Sequence, residues 1–201
     1  MLYSRSVSGR PVILHLIGFP AVGKLTVARA VARVAAQRGD RYVVLDNHHT
    51  SNVIFAALDV DGVRPLPASV WDRVGEVREA LLRTIEELSP AEWSFVSTNV
   101  LTDGSPGDRK IVDRMVALAA TRRNPYVPIT IRCGVDELVK RVDNIDRKDR
   151  SKWVDPAAVR TYGESRQLIR FDDHSPLDID TTALTPDDAA LQILDHIDRL
   201  V

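Results

Sequence analysis

Gly18-Phe19-Pro20-Ala21-Val22-Gly23-Lys24-Leu25-Thr26 is the stretch on which the reading of this chain turns. It has the spacing G-x-x-x-x-G-K, and its flanks give that spacing meaning. On the amino side, Val12-Ile13-Leu14-His15-Leu16-Ile17 is a run of branched residues that predicts a buried strand. On the carboxyl side, Lys24 to Arg38 carries Val27, Val31 and Val34 at helical spacing and stops at Gly39. Strand, glycine-rich turn and helix in that order make a site for phosphate. The turn aims its N–H groups inward, glycine permits close approach, and the helix N-terminus adds positive potential. Lys24 would reach the β and γ phosphates. Candidate phosphate contacts are therefore Gly18, Ala21, Val22, Gly23, Lys24, Leu25 and Thr26.

One position breaks the pattern. Ser or Thr normally follows the lysine and ligates magnesium through its hydroxyl, but here that residue is Leu25. Thr26 comes one step later, ~100° further around the helix. Its hydroxyl is expected to contact a phosphate, or to hold a metal through water.

Outward from the loop, short apolar runs alternate with long amphipathic stretches. Tyr42-Val43-Val44-Leu45 predicts a second strand ending at Asp46. Val70, Val74, Val77, Leu81, Ile85 and Leu88 recur at three and four residues and predict a long helix. Ser94-Phe95-Val96-Ser97 and Tyr126 to Arg132 predict two more strands, with a helix over about Asp108 to Arg122 between them. A fifth strand is expected at Leu177-Asp178-Ile179-Asp180. Thr185-Pro186-Asp187-Asp188 then caps a final helix, with acids at its positive end. Strand alternating with helix is the signature of a parallel sheet covered on both faces. One α/β domain over residues 1–201 is expected, without repeats or an internal linker. Asn47 to Pro67 is read as a long connection past a strand's carboxyl end, and Asn144 to Pro156 as a second, polar one.

The chain's formal charge of −1 conceals polarity along it. Residues 172–201 hold eight Asp and one Arg, a net −7, leaving +6 on the rest. Near-neutrality argues against a general nucleic-acid binder. Cys133 is the only cysteine, so no intramolecular disulfide can form, and a reducing interior such as the cytoplasm is the simpler expectation. No run approaches the ~20 apolar residues of a membrane helix.

The Gly18-to-Thr26 loop, the Asp46-Asn47-His48 strand end and the Arg147/Lys148/Arg150 segment resemble the P-loop small-molecule kinases. That group includes shikimate and gluconate kinases, chloramphenicol phosphotransferase and zeta-toxin-like kinases, and its loop is the Walker A element. The resemblance implies a three-layer fold with a five-stranded parallel sheet, flanking helices and a mobile lid. It implies transfer of the ATP γ-phosphoryl group to a hydroxyl of a small molecule, with ATP and Mg2+ required. It leaves the acceptor unnamed, and a monomer or a homodimer equally open.

Roles follow by position. Asp46, expected at a strand end beside the first strand, would act as base on the acceptor hydroxyl, hold the metal, or both; a plain turn residue is the alternative. The third strand ends Ser97-Thr98-Asn99 without an acid until Asp103, so Asn99 is a candidate contact for the acceptor. Asn47 and His48 join it, and residues 47 to about 78 would shape the acceptor pocket. His48-His49 is not read as a zinc site, since neighbours on an extended chain point opposite ways. Lys140 to Lys152 carries six basic and three acidic residues, and within it Arg147 and Arg150 would close over the γ-phosphate as a lid spanning about 144–156, with Arg141 next. Thr181 and Thr182 stand where similar kinases cradle adenine, with a plain strand-to-helix turn as the equal alternative. Two other readings remain open: a nucleotide-binding sensor with little catalysis, favoured by Leu25 and the missing third-strand acid, and a kinase of RNA or DNA ends, for which the basic segment is the sole support.

Overall fold

A computed structural model describes residues 9–60, 64, 66–142 and 156–200. Its elements run β1 (Ile13–Ile17), α1 (Lys24–Gln37), β2 (Tyr42–Asp46), α2 (His48–Ala57), α3 (Ala68–Leu88) and β3 (Ser94–Asn99). They continue α4 (Pro106–Arg122), β4 (Tyr126–Arg132), α5 (Val135–Val142), α6 (Pro156–Ser165), β5 (Leu177–Asp180) and α7 (Pro186–Leu200). Among the described residues the strands form one five-stranded parallel sheet in the order β2-β3-β1-β4-β5. The expected α/β three-layer architecture is therefore present.

The sheet order corrects one expectation. β2 is not beside β1, because β3 lies between them and pairs with both. Strand pairing is a long-range choice that local sequence does not encode: β2 forms the sheet edge, and β3, later in the chain, fills the place between it and β1.

Alternation along the strands divides the core between two faces. Leu14, Leu16, Val96, Ile129 and Ile131 pack under α1 and α7 with Val27, Val31, Ile193 and Leu194. Ile13, Ile17, Leu45 and Phe95 pack on the other face with Leu82 and Ile85 of α3 and Val112, Met115 and Leu118 of α4. β1 is buried at all five positions, as a central strand covered on both faces must be. Each such fully buried aliphatic or Phe side chain contributes about 1.5–3 kcal/mol.

Helix ends follow their local chemistry. The Ser105 hydroxyl accepts from the Asp108 N–H at the start of α4, with Pro106 in the first turn. At α7 the Thr185 hydroxyl accepts from the Asp188 N–H at 3.2 Å and donates to the Asp188 carboxylate at 2.6 Å, the cap expected from the sequence. At the far end of α3, the Arg122 guanidinium donates to the carbonyls of Ile85 at 2.8 Å and Pro90 at 2.6 Å, closing a helix terminus from a neighbouring element.

The connection from Asn47 is not the irregular loop expected. It folds as α2, whose Phe55 packs with Val70 and Val74 of α3 and meets Trp71 edge to face at 5.8 Å. His48 and His49 accordingly open a helix rather than lying on extended chain.

Candidate active site

The loop between β1 and α1 is shaped by backbone constraints at two glycines. A Cβ on Gly18 would lie 2.5 Å from the Ile131 carbonyl oxygen and 2.8 Å from Val22 Cγ2, so the loop's entry passes where only glycine fits. Gly23 caps α1 at φ 97°, a left-handed conformation that favours glycine. Ala21 holds φ 71° without that freedom, a local strain of the kind concentrated at functional sites.

The first turn of α1 has no acidic residue and no side-chain cap. Its leading N–H groups and the positive end of its dipole are thus left for an anion. Lys24 turns back over the loop, its ammonium donating to the carbonyls of Gly18 at 2.7 Å and Phe19 at 2.9 Å. That curl holds the charge over the cradle. Leu25 is half-buried and offers no oxygen, while Thr26 is exposed on the first turn.

Two strand ends flank the cradle. The Gly18 N–H donates to the Asn99 carbonyl at 3.2 Å, tying the loop to the end of β3. Asp46 ends β2 opposite Thr98, is 6% exposed, and accepts from the Thr98 hydroxyl at 2.9 Å. Asp46 therefore approaches the loop across β3, about two strand spacings or ~10 Å from β1. Thr98 and Asn99 border the loop more closely than Asp46 does. Asp103 is exposed in the turn beyond, its N–H donating to the Gln167 carbonyl at 2.9 Å.

Behind the polar edge lies a network that sequence reasoning missed. His15 is fully buried in β1, its Nδ1 2.8 Å from the Tyr126 hydroxyl and its Nε2 2.9 Å from Asn99 Oδ1. An amide oxygen only accepts, so Nε2 carries the proton and Nδ1 accepts from Tyr126. Burial lowers the imidazole pKa to about 4, which keeps it neutral. Ser97 also donates to Asn99 Oδ1, at 3.3 Å. With its oxygen held from two sides, the Asn99 amide is fixed and its NH2 is turned away from His15. Burial likewise raises the Tyr126 phenol pKa, keeping it a neutral donor. The sequence signal was a lone histidine in an apolar strand; its partners stand 84 and 111 residues away.

On the opposite flank, Arg141 of α5 braces the loop. Its guanidinium donates to the Thr181 carbonyl at 2.8 Å and to the Val22 carbonyl at 3.3 Å, and Nε donates to Glu137 at 3.0 Å. The Thr181 hydroxyl, buried, lies 3.1 Å from the Val22 carbonyl and 3.0 Å from that of Arg132. Thr182 accepts from the Gly134 N–H at 2.7 Å and donates to Asp180. Arg141 and Thr181 thus fasten the last turn of α5 and the end of β5 to the back of the loop at Val22, while Thr182 bonds to Gly134 and Asp180.

Asn47 accepts at its carbonyl from the Thr50 and Ser51 hydroxyls, and His48 Nδ1 lies 3.2 Å from Asn52 Oδ1, one turn along α2. Over the loop, Phe19 meets Tyr162 of α6 edge to face at 6.1 Å, a contact no sequence pattern announced. Arg147, Arg150 and the expected lid between Asn144 and Asp155 lie outside the described residues. Among the described residues there is no group of three or more His, Cys, Asp or Glu that could hold a metal ion, and no helix long and apolar enough to cross a membrane.

No protein-family model matches the sequence, and no curated protein matches it. Solved structures do. A candidate kinase from Chloroflexus aurantiacus superposes with a TM-score of 0.64 at 18% identity, covering 94% of this chain and 98% of that one. A gluconokinase from Sinorhizobium meliloti gives 0.58 at 14% identity, over 96% and 94%. The APS kinase CysC of Mycobacterium tuberculosis, solved with AMPPNP and APS, gives 0.58 at 15% identity, over 94% and 99%. At these identities the likeness is one of fold: the chain has the P-loop small-molecule kinase-like fold over most of its length.

Proposed function

We propose that this protein is an ATP-dependent phosphotransferase acting on a hydroxyl of a small molecule. The observation that carries the reading is the uncapped N-terminus of α1 under Lys24, with Thr98 near the end of the adjacent β3 and Asp46 one strand further, at the end of β2. The kinase names attached to structures of the same fold support it.

In this reading the loop amides and Lys24 hold the β and γ phosphates. The acceptor oxygen attacks the γ phosphorus, the bond to the β-bridging oxygen breaks, and ADP leaves. The acceptor proton passes to the Asp46 carboxylate, which Thr98 holds in place. The donor set fits Mg2+ in its sparsest form, since that ion commonly takes one or two carboxylates together with phosphates and waters. Asp46 would be its protein carboxylate, with Thr26 reaching it through water. When bound, Mg2+ neutralises charge on the phosphates. Arg147 and Arg150 would complete the enclosure, and Arg141 would reach a phosphate only by leaving its partners at Thr181 and Val22. Asn47, His48 and Asn99 would face the acceptor.

Asp46→Asn tests the assignment. Phosphoryl transfer to the acceptor is expected to fall by roughly 10²–10⁴, the usual worth of a general base, with AMPPNP affinity in the absence of metal unchanged. Full transfer by the variant would remove Asp46 from the reaction.

A sensor with little catalysis is the second reading, favoured by the lack of a hydroxyl at Leu25. Its signature is nucleotide affinity that ignores Mg2+, with no transfer to any acceptor.

A further inference from the structure

β1 puts Ile13, His15 and Ile17 on the sheet face covered by α3 and α4, and the two isoleucines join the apolar core there. A leucine at position 15 would extend that core without needing a partner. The imidazole, sealed from water, needs hydrogen bonds, because a buried polar group without them costs stability. Tyr126 supplies one at 2.8 Å and Asn99 the other at 2.9 Å.

The three groups are ordered in one direction. The Tyr126 hydroxyl has no other acceptor among the described residues, so it donates to Nδ1. The single proton of the neutral ring then sits on Nε2 and is given to an oxygen, which fixes Oδ1 of the Asn99 amide toward His15. Ser97 donates to the same oxygen at 3.3 Å. The Asn99 NH2 is left with no acceptor among the described residues, on a side chain 7% exposed at the carboxyl end of β3.

Asn99 is also tied to the phosphate loop. Its carbonyl accepts from the Gly18 N–H at 3.2 Å, and the Gly18 carbonyl accepts from the Lys24 ammonium at 2.7 Å. Gly18 thus bonds on one side to Asn99 and on the other to the lysine over the cradle. An unheld primary amide can turn about its last bond and present either end. The two ends act oppositely on a phosphate oxygen, which the NH2 attracts and the carbonyl oxygen repels.

We propose that His15 is a positioning residue: by giving its Nε2 proton to Asn99 Oδ1, it turns the Asn99 NH2 toward the terminal phosphoryl group of the nucleotide in the loop. Tyr126 serves the same end by setting the tautomer of His15. The nucleotide is that of the kinase reading, on which this role rests. Asn99 can face the acceptor as well, because the acceptor oxygen must reach that same phosphorus.

Calorimetry with AMPPNP and with ADP, at one Mg2+ concentration, separates the terminal group from the rest of the nucleotide. His15→Leu is expected to bind AMPPNP about tenfold more weakly than the parent, the worth of one hydrogen bond to a charged group, with ADP affinity unchanged. His15→Gln, whose NH2 can give Asn99 the same proton, should keep most of the AMPPNP affinity. Asn99→Ala should lose as much as His15→Leu, and the double variant no more than either, since the two residues act as one unit. A histidine that only supports the fold would weaken both nucleotides alike and add to Asn99→Ala. Equal weakening of AMPPNP and ADP, no weakening of AMPPNP, or an additive double variant would therefore overturn the proposal. In the parent, where the core is untouched, the Asn99 side-chain NH2 resonances, assigned by their loss in Asn99→Ala, should shift on AMPPNP and hold their places on ADP. An equal response to the two nucleotides would overturn the proposal without any variant at position 15. If the parent bound neither nucleotide, the kinase reading would fall and this role with it, whereas binding that ignores His15 would refute the role alone.

Discussion

Replacing His15 with glutamine is expected to flatten the acid limb of the protein's stability curve. In the folded chain the imidazole is sealed within β1, donating from Nε2 to Asn99 and accepting at Nδ1 from Tyr126. A second proton would cancel the Tyr126 bond and leave a charge without water. Hence the group that titrates at 6.5 when unfolded titrates at about 4 when folded. Between those values the unfolded chain binds a proton that the native chain refuses, so stability is complete above the upper value and falls as pH drops toward the lower. At about 1.4 kcal/mol per pH unit, the interval amounts to roughly 3 kcal/mol, about a few hundredfold in the folding equilibrium. Urea unfolding followed by circular dichroism, repeated from about pH 7 down to about pH 4.5, measures it. The parent should lose about 2–3 kcal/mol more than His15→Gln across that range. Parallel curves would refute the reasoning, because other carboxylates titrate in both proteins and cancel in the difference.

Two further outcomes concern packing. Gly18→Ala drives a Cβ into the Ile131 carbonyl and should cost about 1–3 kcal/mol, lowering the melting temperature by several degrees and weakening AMPPNP binding; an unchanged melt would show that the loop has room. Arg122→Met keeps an aliphatic stem but loses the guanidinium, both its place over the Phe95 ring and its bonds to the Ile85 and Pro90 carbonyls. A loss of about 1–3 kcal/mol in urea unfolding is expected, with nucleotide affinity intact.

The elements whose signals are local were legible in the sequence. β4 and β5 fall where the apolar runs place them, and α1 begins at the loop lysine. The Thr185 cap forms as its neighbours require. Helix α2 was not legible, because Asn47 to Pro67, with Gly62, Pro65 and Pro67, read as one long connection. Its order comes from Phe55 docking on Val70 and Val74, a tertiary effect that overrides propensity. Sheet order was hidden for a similar reason: nothing within β2 says that β3 will separate it from β1. The same insertion decides the site, since it puts Thr98 and Asn99 between Asp46 and the loop. The half-buried Arg78 of α3 was concealed by company: on a helix read for its apolar rhythm it passes for a surface residue until Val70 and Val74 are seen packing with Phe55, and Leu82 and Ile85 with Ile17, Leu45 and Phe95.

Titration of AMPPNP into the parent and into Lys24→Met tests the phosphate site most directly. Calorimetry with and without Mg2+ is expected to show saturable one-to-one binding by the parent. Removal of the lysine's charge-assisted contacts should weaken it by roughly ten- to a hundredfold, while loss of its bonds to the Gly18 and Phe19 carbonyls lowers the melt of the nucleotide-free protein by no more than a few degrees. No binding by the parent, or equal binding by the two proteins, would contradict the account.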